Sequence, residues 1–65
     1  DTDLIINTET GEIDSIIIPY GRGFLKKRLI VVPWRGIKKI GRDLIIVDLT
    51  TAEDYYDIMH RLDLE

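Results

Sequence analysis

The fold is decided by residues 30–47, whose sequence is IVVPWRGIKKIGRDLIIV. Aliphatic and β-branched residues occur there in short runs, which Pro33, Gly36 and Gly41 interrupt. Short β-branched runs bounded by proline and glycine favour strands, whereas a helix would need apolar residues three and four apart. The stretch therefore predicts strands at about 28–32, 36–40 and 44–48.

The same pattern extends toward the N-terminus. It predicts strands at about 3–7 and 13–18, joined by a hairpin in which Gly11 supplies a positive φ. Pro19 should close the second strand because proline has no N–H to donate to a sheet ladder. The sequence thus predicts a mainly β fold of about five short strands.

Beyond the strands, the period of the apolar residues changes to that of a helix, predicted at about 51–62. Its apolar stripe consists of Ala52, Tyr55, Met59 and Leu62. A capping box at its start is predicted from Thr50 with Glu53, or from Thr51 with Asp54.

We expect residues 1–65 to form a single domain. A chain this short buries only about 60% of its unfolded surface, so its stability should be marginal. It has no cysteine, which excludes disulfides and thiolate metal sites. The predicted core consists of Leu4, Ile6, Ile13, Ile17, Leu29, Val31, Trp34, Ile37, Ile40, Ile45, Val47, Tyr55 and Met59.

Two stretches resemble the PRC-barrel family, especially its small stand-alone YlmC/YmxH type. They are residues 3–19, DLIINTETGEIDSIIIP, and residues 30–47, in which Pro-Trp precedes Ile-Gly-x-Asp. The resemblance implies a small β-barrel and no reaction, since the family has no known catalytic residues. Relatives in a photosynthetic reaction-centre subunit and in a ribosome-maturation factor use the barrel for docking or assembly.

The chain departs from the family pattern at both ends. Family members usually open with a further strand pair before the position of Asp3, and the helix after Leu49 lies outside the minimal barrel. The chain begins with Asp1 instead of Met, which predicts that residues before Asp1 are missing. Without the opening pair, sheet edges should be exposed, and exposed edges pair with other chains. We therefore expect a homodimer.

Charge is segregated along the chain. Eight cations and no acid lie between Tyr20 and Arg42, although the net charge is -3. This basic segment, 22–42, supports an alternative function in RNA or ribosome binding. The candidate nucleic-acid or anion contacts are Arg22, Lys26, Lys27, Arg28, Arg35, Lys38 and Lys39. The candidate partner-docking residues are Tyr20, Phe24 and Leu25.

Catalytic and metal chemistry is poorly supported. Ser15 and His60 are the only serine and histidine, they lie far apart in the chain, and no nucleophile-elbow motif is present. Asp54, Asp57 and His60 are spaced like metal ligands, but a single helix spreads them over a broad arc, so a solvated polar face is favoured.

A phosphate loop at residues 21–28 is equally poorly supported. Its two glycines and nearby cations lead into a strand, whereas phosphate loops lead into a helix. An exposed loop between strands is therefore favoured, and we expect no cofactor.

These observations predict a non-catalytic protein-interaction or assembly module in the cytoplasm. We expect no membrane insertion because the longest apolar runs are only strand-sized. The RNA- or ribosome-binding domain remains the alternative.

Overall fold

A computed structural model describes residues 2–21 and 28–62. Its strands are β1 (Asp3–Ile6), β2 (Ile13–Tyr20), β3 (Arg28–Pro33), β4 (Ile37–Ile40), β5 (Ile45–Val47) and β6 (Glu53–Asp54). One helix, α1, follows at Tyr55–Arg61. The mainly β fold with a C-terminal helix is confirmed, and the short strand β6 is an addition to the predicted five.

The strands form two antiparallel sheets. One has the order β1-β2-β3-β6, and in the other β4 pairs with β5. In the part of the chain that the structure describes, no ladder joins the two sheets. The strands therefore form an open sheet with a hairpin packed on one face, and the predicted barrel is not closed.

The turn between β1 and β2 is fixed by Asn7. Its side-chain oxygen accepts from the backbone N–H groups of Glu9 and Thr10, and its backbone N–H donates to Glu12 O at 2.9 Å. Gly11 has a φ of 77°, a value that glycine adopts without the steric penalty of a side chain. The predicted role of Gly11 is confirmed.

Along the edge of β1, one row of backbone groups has no partner among the described residues. The backbone N–H and C=O groups of Asn7 point toward β2 and bond across the turn. Along a strand, the backbone groups of successive residues point to opposite sides. Those of Ile5 therefore face β2, whereas those of Leu4 and Ile6 face away from the sheet. The ladder's extra residue is Asp14 on β2, so the alternation along β1 is unbroken.

Pro19 lies inside β2, which ends one residue later at Tyr20. Pro19 stands opposite Leu29 of β3, and β1 pairs with β2 only as far as Ile17. By the same alternation, the ring nitrogen of Pro19 points away from β3, to the side of β2 on which β1 lies. Because β1 pairs with β2 only as far as Ile17, no strand stands opposite that nitrogen among the described residues. The strand therefore continues through Pro19 without losing a ladder bond.

The two central strands are covered on both faces. On one face, Ile16, Ile30 and Val32 form the buried cluster, and Ile37 of β4 and Val47 of β5 pack against it. On the other face α1 lies against β3. Ile58 of α1 lines a cleft of about 250 Å³ there, together with Ile5 and Val31 of the sheet.

The predicted core is correct for Ile17 and Val31, which are buried. Leu29, Ile37, Val47, Tyr55 and Met59 are half-buried. The prediction was wrong for Leu4, Ile6, Ile13, Trp34, Ile40 and Ile45, which are exposed. The buried residues that it missed are Ser15, Ile16, Ile30, Val32 and Gly36.

Apart from Trp34, these errors have one physical cause. A closed barrel buries alternate residues of every strand, whereas this sheet buries both alternating sets of its two central strands. The edge strand β1 and the outer surface of the β4–β5 hairpin lack a covering layer among the described residues. Trp34 follows Pro33 in a 3-10 turn (Trp34–Gly36), beyond the end of β3.

The helix begins later than predicted, and the capping boxes at Thr50 and Thr51 were wrong. The Asp48 carboxylate accepts from the Thr50 N–H and holds Leu49–Thr51 in a separate 3-10 turn. Glu53 and Asp54 then pair with Val31 and Ile30. The Asp54 carboxylate caps α1 by accepting from the N–H groups of Tyr56 and Asp57.

The two 3-10 turns meet at Gly36, which is buried. The Asp48 N–H donates to Gly36 O at 2.8 Å, and Thr51 Oγ1 donates to Asp48 O at 2.7 Å. A Cβ atom placed at Gly36 would overlap Thr51 Oγ1 and lie 3.0 Å from Val32 Cγ1. This position requires glycine because of the close approach.

Candidate interaction surface

The edge of β1 presents apolar side chains beside its open backbone groups. Leu4 is 52% exposed and Ile6 is 49% exposed. Both residues point to the face that carries the Ile16 cluster, since Leu4 stands opposite Ile16. We call Leu4 and Ile6 the edge strip. The sequence prediction missed it because alternation alone does not show which strand lies at an edge.

A second apolar feature surrounds Trp34, whose side chain is 48% exposed. Trp34 lines a shallow depression with Gly11, Glu12 and Ile13 of the β1–β2 hairpin. We call these four residues the Trp34 depression. A large amphipathic ring that stands over an open depression is the kind of group that anchors protein interfaces.

A third group of exposed apolar residues lies on the β4–β5 hairpin. This hairpin patch consists of Ile40, Leu44, Ile45 and Ile46, with exposures from 41% to 60%. The Gly41 N–H donates to Leu44 O at 2.8 Å and closes the turn of the hairpin.

The predicted cations separate into two groups. Arg28 Nη2 lies 3.4 Å from Asp54 Oδ1, and it is 69% exposed, so this ion pair adds little to stability. Arg35, Lys38 and Lys39 are exposed and form no ion pair within residues 2–21 and 28–62.

Arg35 and Lys38 lie close enough to Asp48 to affect its ionisation. Hydrogen bonds from the Thr50 hydroxyl and backbone N–H hold the pKa of Asp48 below its usual value, and the positive charges of Lys38 and Arg35 add to that lowering. Because hydrogen bonds to a carboxylate favour its charged form, Asp48 carries a negative charge beside these two cations.

Tyr20 is half exposed and lines another depression together with Arg28 and Leu49. This places one of the three docking candidates at the surface. The predictions for Arg22, Phe24, Leu25, Lys26 and Lys27 concern positions outside the described residues, as does the exposed loop predicted there.

Catalytic and metal-binding candidates are not brought together in the described part of the chain. Ser15 is buried and donates its hydroxyl hydrogen to Asp14 Oδ2 at 2.7 Å. His60 is exposed on α1, and the carboxylate of Asp54 is occupied as the helix cap. Residues 2–21 and 28–62 contain no cluster of three His, Cys, Asp or Glu side chains with metal-site geometry.

Within the same residues, no helix has the length and apolarity needed to cross a membrane.

The family model described as "PRC-barrel domain" matches residues 2–54, most of the chain. The chain belongs to the PRC-barrel family, and the resemblance seen in residues 3–19 and 30–47 is confirmed.

Two curated proteins of Bacillus subtilis (strain 168) are similar to the chain. It is 45% identical over 53 residues to "Probable sporulation protein YlmC", and the match covers 74% of this chain and 64% of that protein. It is 47% identical over 51 residues to "Uncharacterized protein YmxH", with 74% and 60% covered. The chain thus spans less than two thirds of the length of both relatives. No solved structure matches it significantly.

Proposed function

We propose that the chain is a non-enzymatic interaction module that binds another protein through the Trp34 depression. The observation that carries this proposal is the half-exposed indole of Trp34, which stands beside Ile13 over an open depression. Tryptophan is enriched among the residues that contribute most to protein binding, because it buries a large area at a small entropic cost.

The position of Trp34 in the chain supports an anchoring role. Pro33 restricts the backbone immediately before it, and the 3-10 turn ends at Gly36, which packs against Thr51. The ring is therefore presented from a backbone that is fixed on both sides. A side chain held in place before binding loses less entropy when a partner covers it.

The proposal is tested by affinity capture from the native cytosol with wild-type protein, Trp34→Ala and Tyr56→Ala. Tyr56 is 70% exposed on α1 and serves as a matched aromatic control on another surface. We expect a partner that wild-type protein and Tyr56→Ala recover equally and that Trp34→Ala recovers at least tenfold less. Equal recovery by all three proteins, with Trp34→Ala still folded, would contradict the proposal.

The second candidate function is RNA or ribosome binding through Arg35, Lys38 and Lys39. These cations are exposed and form no ion pair in the described residues, although Asp48 lies near Arg35 and Lys38, and Trp34 lies next to Arg35. An aromatic ring beside cations suits single-stranded RNA, since bases stack on the ring while phosphates contact the cations.

Filter binding at two salt concentrations tests this candidate. We expect that replacing Arg35, Lys38 and Lys39 by Ala weakens binding of all RNA sequences alike and flattens its dependence on salt. Arg61→Ala is the control, because Arg61 is paired with Glu53 at 3.0 Å. Binding that does not respond to salt would exclude the RNA function.

We also propose that the module acts in the cytoplasm. A chain with no cysteine derives no stability from an oxidising compartment. Imaging of a tagged full-length protein in its own cell would test this, and a signal outside the cytoplasm would overturn it.

A further inference from the structure

We infer that the Trp34 depression takes an arginine side chain of the partner protein, with the guanidinium stacked on the indole and paired with the Glu12 carboxylate. The inference rests on the proposed function and deepens it, because it names the chemistry that the depression recognises. The two can fail separately. If the depression binds a protein through a different group, only this inference falls.

The depression lies at the turn end of the β1–β2 hairpin, whereas β1 begins at the other end of that hairpin. Pairing of Ser15 with Pro33 brings Trp34 to this end of the sheet. The depression has a volume of about 530 Å³, which lies within the range of about 300–1,000 Å³ that is usual for ligand pockets. It therefore has room for one long side chain of a partner.

The charge of the depression is negative. Glu12 is the only charged residue among the four that line it, and its exposed side chain forms no ion pair within residues 2–21 and 28–62. Residues 7–14, which include the turn, carry three acids and no cation. A surface of one sign attracts partners of the opposite sign and repels those of the same sign.

The cations nearest in sequence to Trp34 serve other parts of the surface. Arg35 follows Trp34 directly, but it lines the cleft between α1 and the sheet. The charges of Arg35 and Lys38 act on Asp48. Because no cation of the described residues lines the depression, a positive charge beside Glu12 has to come from the partner.

An indole next to a carboxylate suits a guanidinium group. A cation is attracted to the face of an aromatic ring, and tryptophan gives the strongest attraction. The guanidinium is planar, so it can stack on a ring while its N–H groups donate to a carboxylate, which a lysine ammonium does less well. Ile13 offers apolar surface to the methylene groups of the same arginine.

The carboxylate of Glu12 argues against two other occupants. A purely apolar side chain would cover Glu12 without giving it a hydrogen-bond donor, and a covered polar group without a partner is costly. The phosphates of a nucleic acid would bring negative charge beside a negative carboxylate, which is also unfavourable. An arginine avoids both costs.

NMR titration of the full-length protein with two peptides tests the inference. The probes are acetyl-glycyl-arginyl-glycine amide and the same peptide with citrulline, which has nearly the same shape as arginine but no charge. The readout is the indole N–H signal of Trp34, identified by its absence in Trp34→Ala. We expect the arginine peptide to bind about tenfold more tightly than the citrulline peptide, and this preference to decrease with added salt.

Glu12→Gln and Glu9→Gln separate the Glu12 charge from the general charge of the turn. Both residues are exposed, so both variants should fold, and Glu9 does not line the depression. We expect Glu12→Gln to lower the preference for arginine about threefold and Glu9→Gln to leave it unchanged. Equal binding of the two peptides, no response to the arginine peptide, or an unchanged preference in Glu12→Gln would overturn the inference.

Oligouridine serves as a third probe. A shift of the Trp34 signal with oligouridine that grows in Glu12→Gln, without a response to the arginine peptide, would assign the depression to nucleic acid and overturn the inference. If the arginine peptide fails but Trp34→Ala still loses its captured partner, the proposed function stands and this inference is rejected. If folded Trp34→Ala recovers the partner as well as wild type does, the proposed function itself fails.

Discussion

Gly36 shows how a single residue without a side chain holds two parts of this fold together. It lies where the turn after β3 meets the turn after β5, and its carbonyl accepts from the Asp48 N–H. The contact with Thr51 leaves no room for a Cβ atom. Backbone atoms this close to a neighbouring turn cannot move away without breaking that hydrogen bond.

We expect Gly36→Ala to lower the free energy of unfolding by about 1–3 kcal/mol, the usual effect of overpacking a buried site. Chemical denaturation followed by Trp34 fluorescence measures the change. In the double variant with Thr51→Ala, which removes the overlapping Oγ1, part of the loss should be recovered. Strictly additive effects in this double-mutant cycle would show that Thr51 is not the source of the strain.

Asp48 should make stability depend on pH in the acid range. Its pKa in the folded protein is held below the ordinary value of 3.8, mainly by the hydrogen bond from the Thr50 hydroxyl. A lowered folded pKa adds stability above the unfolded pKa, and this stability is lost as the pH falls through the folded pKa.

We therefore expect Asp48→Asn to be less stable than the wild type at neutral pH, and the difference to shrink as the pH falls below 3.8. Urea denaturation at neutral and acid pH measures both effects. Asp43→Asn is the control, since Asp43 is an exposed acid outside this turn. A difference that is the same at both pH values would contradict the role given to the Asp48 charge.

The stability of the helix α1 depends on its N-cap more than on its length. It has seven residues, too few to be stable alone, and it begins where Asp54 leaves the ladder with β3. We expect Asp54→Ala to destabilise the protein by about 1 kcal/mol, the usual cost of losing an N-cap.

Asp54→Asn separates the cap from the ion pair with Arg28. Asparagine also accepts from the helix N–H groups, so this variant should retain most of the stability. Thermal unfolding followed by circular dichroism gives the comparison, with Asp57→Ala as a control in the first turn. If Asp54→Asn is as unstable as Asp54→Ala, the charge and not the cap matters.

The sequence predicted strands well and the start of the helix poorly. Pro33, Gly36 and Gly41 punctuate the chain, and the strands near them lie within a residue or two of their predicted bounds. Residues 49–54 were misassigned because Asp48 and Asp54 each cap a separate short segment. Propensity does not reveal that Glu53 and Asp54 would find β3 as a partner, since that pairing spans more than twenty residues of sequence.

For the whole molecule, the location of the core predicts that truncating a small buried side chain costs more stability than truncating a large exposed one. Val32 is fully buried between the sheet and the hairpin, whereas nearly half of the Trp34 side chain is exposed. We expect Val32→Ala to cost about 2–3 kcal/mol and Trp34→Ala less than about 2 kcal/mol, although the latter removes more atoms. Equilibrium denaturation of both variants checks the order, and the reverse order would place the indole in the core.

The candidate surface was predicted only in part. The sequence indicated an open edge and a run of cations, and Arg35, Lys38 and Lys39 are indeed exposed. It also placed Leu4, Ile6 and Trp34 inside, because alternation distinguishes the two faces of a strand but does not show whether a second layer covers either face.

The edge strand β6 limits how far another chain could extend the four-stranded sheet. β6 is only two residues long, and Asp54 leads at once into α1, so little backbone is available there for a further chain to join. At this border a further strand could form only a short ladder. A short edge of this kind protects a sheet against extension by other chains, because few backbone groups are available to hold an added strand.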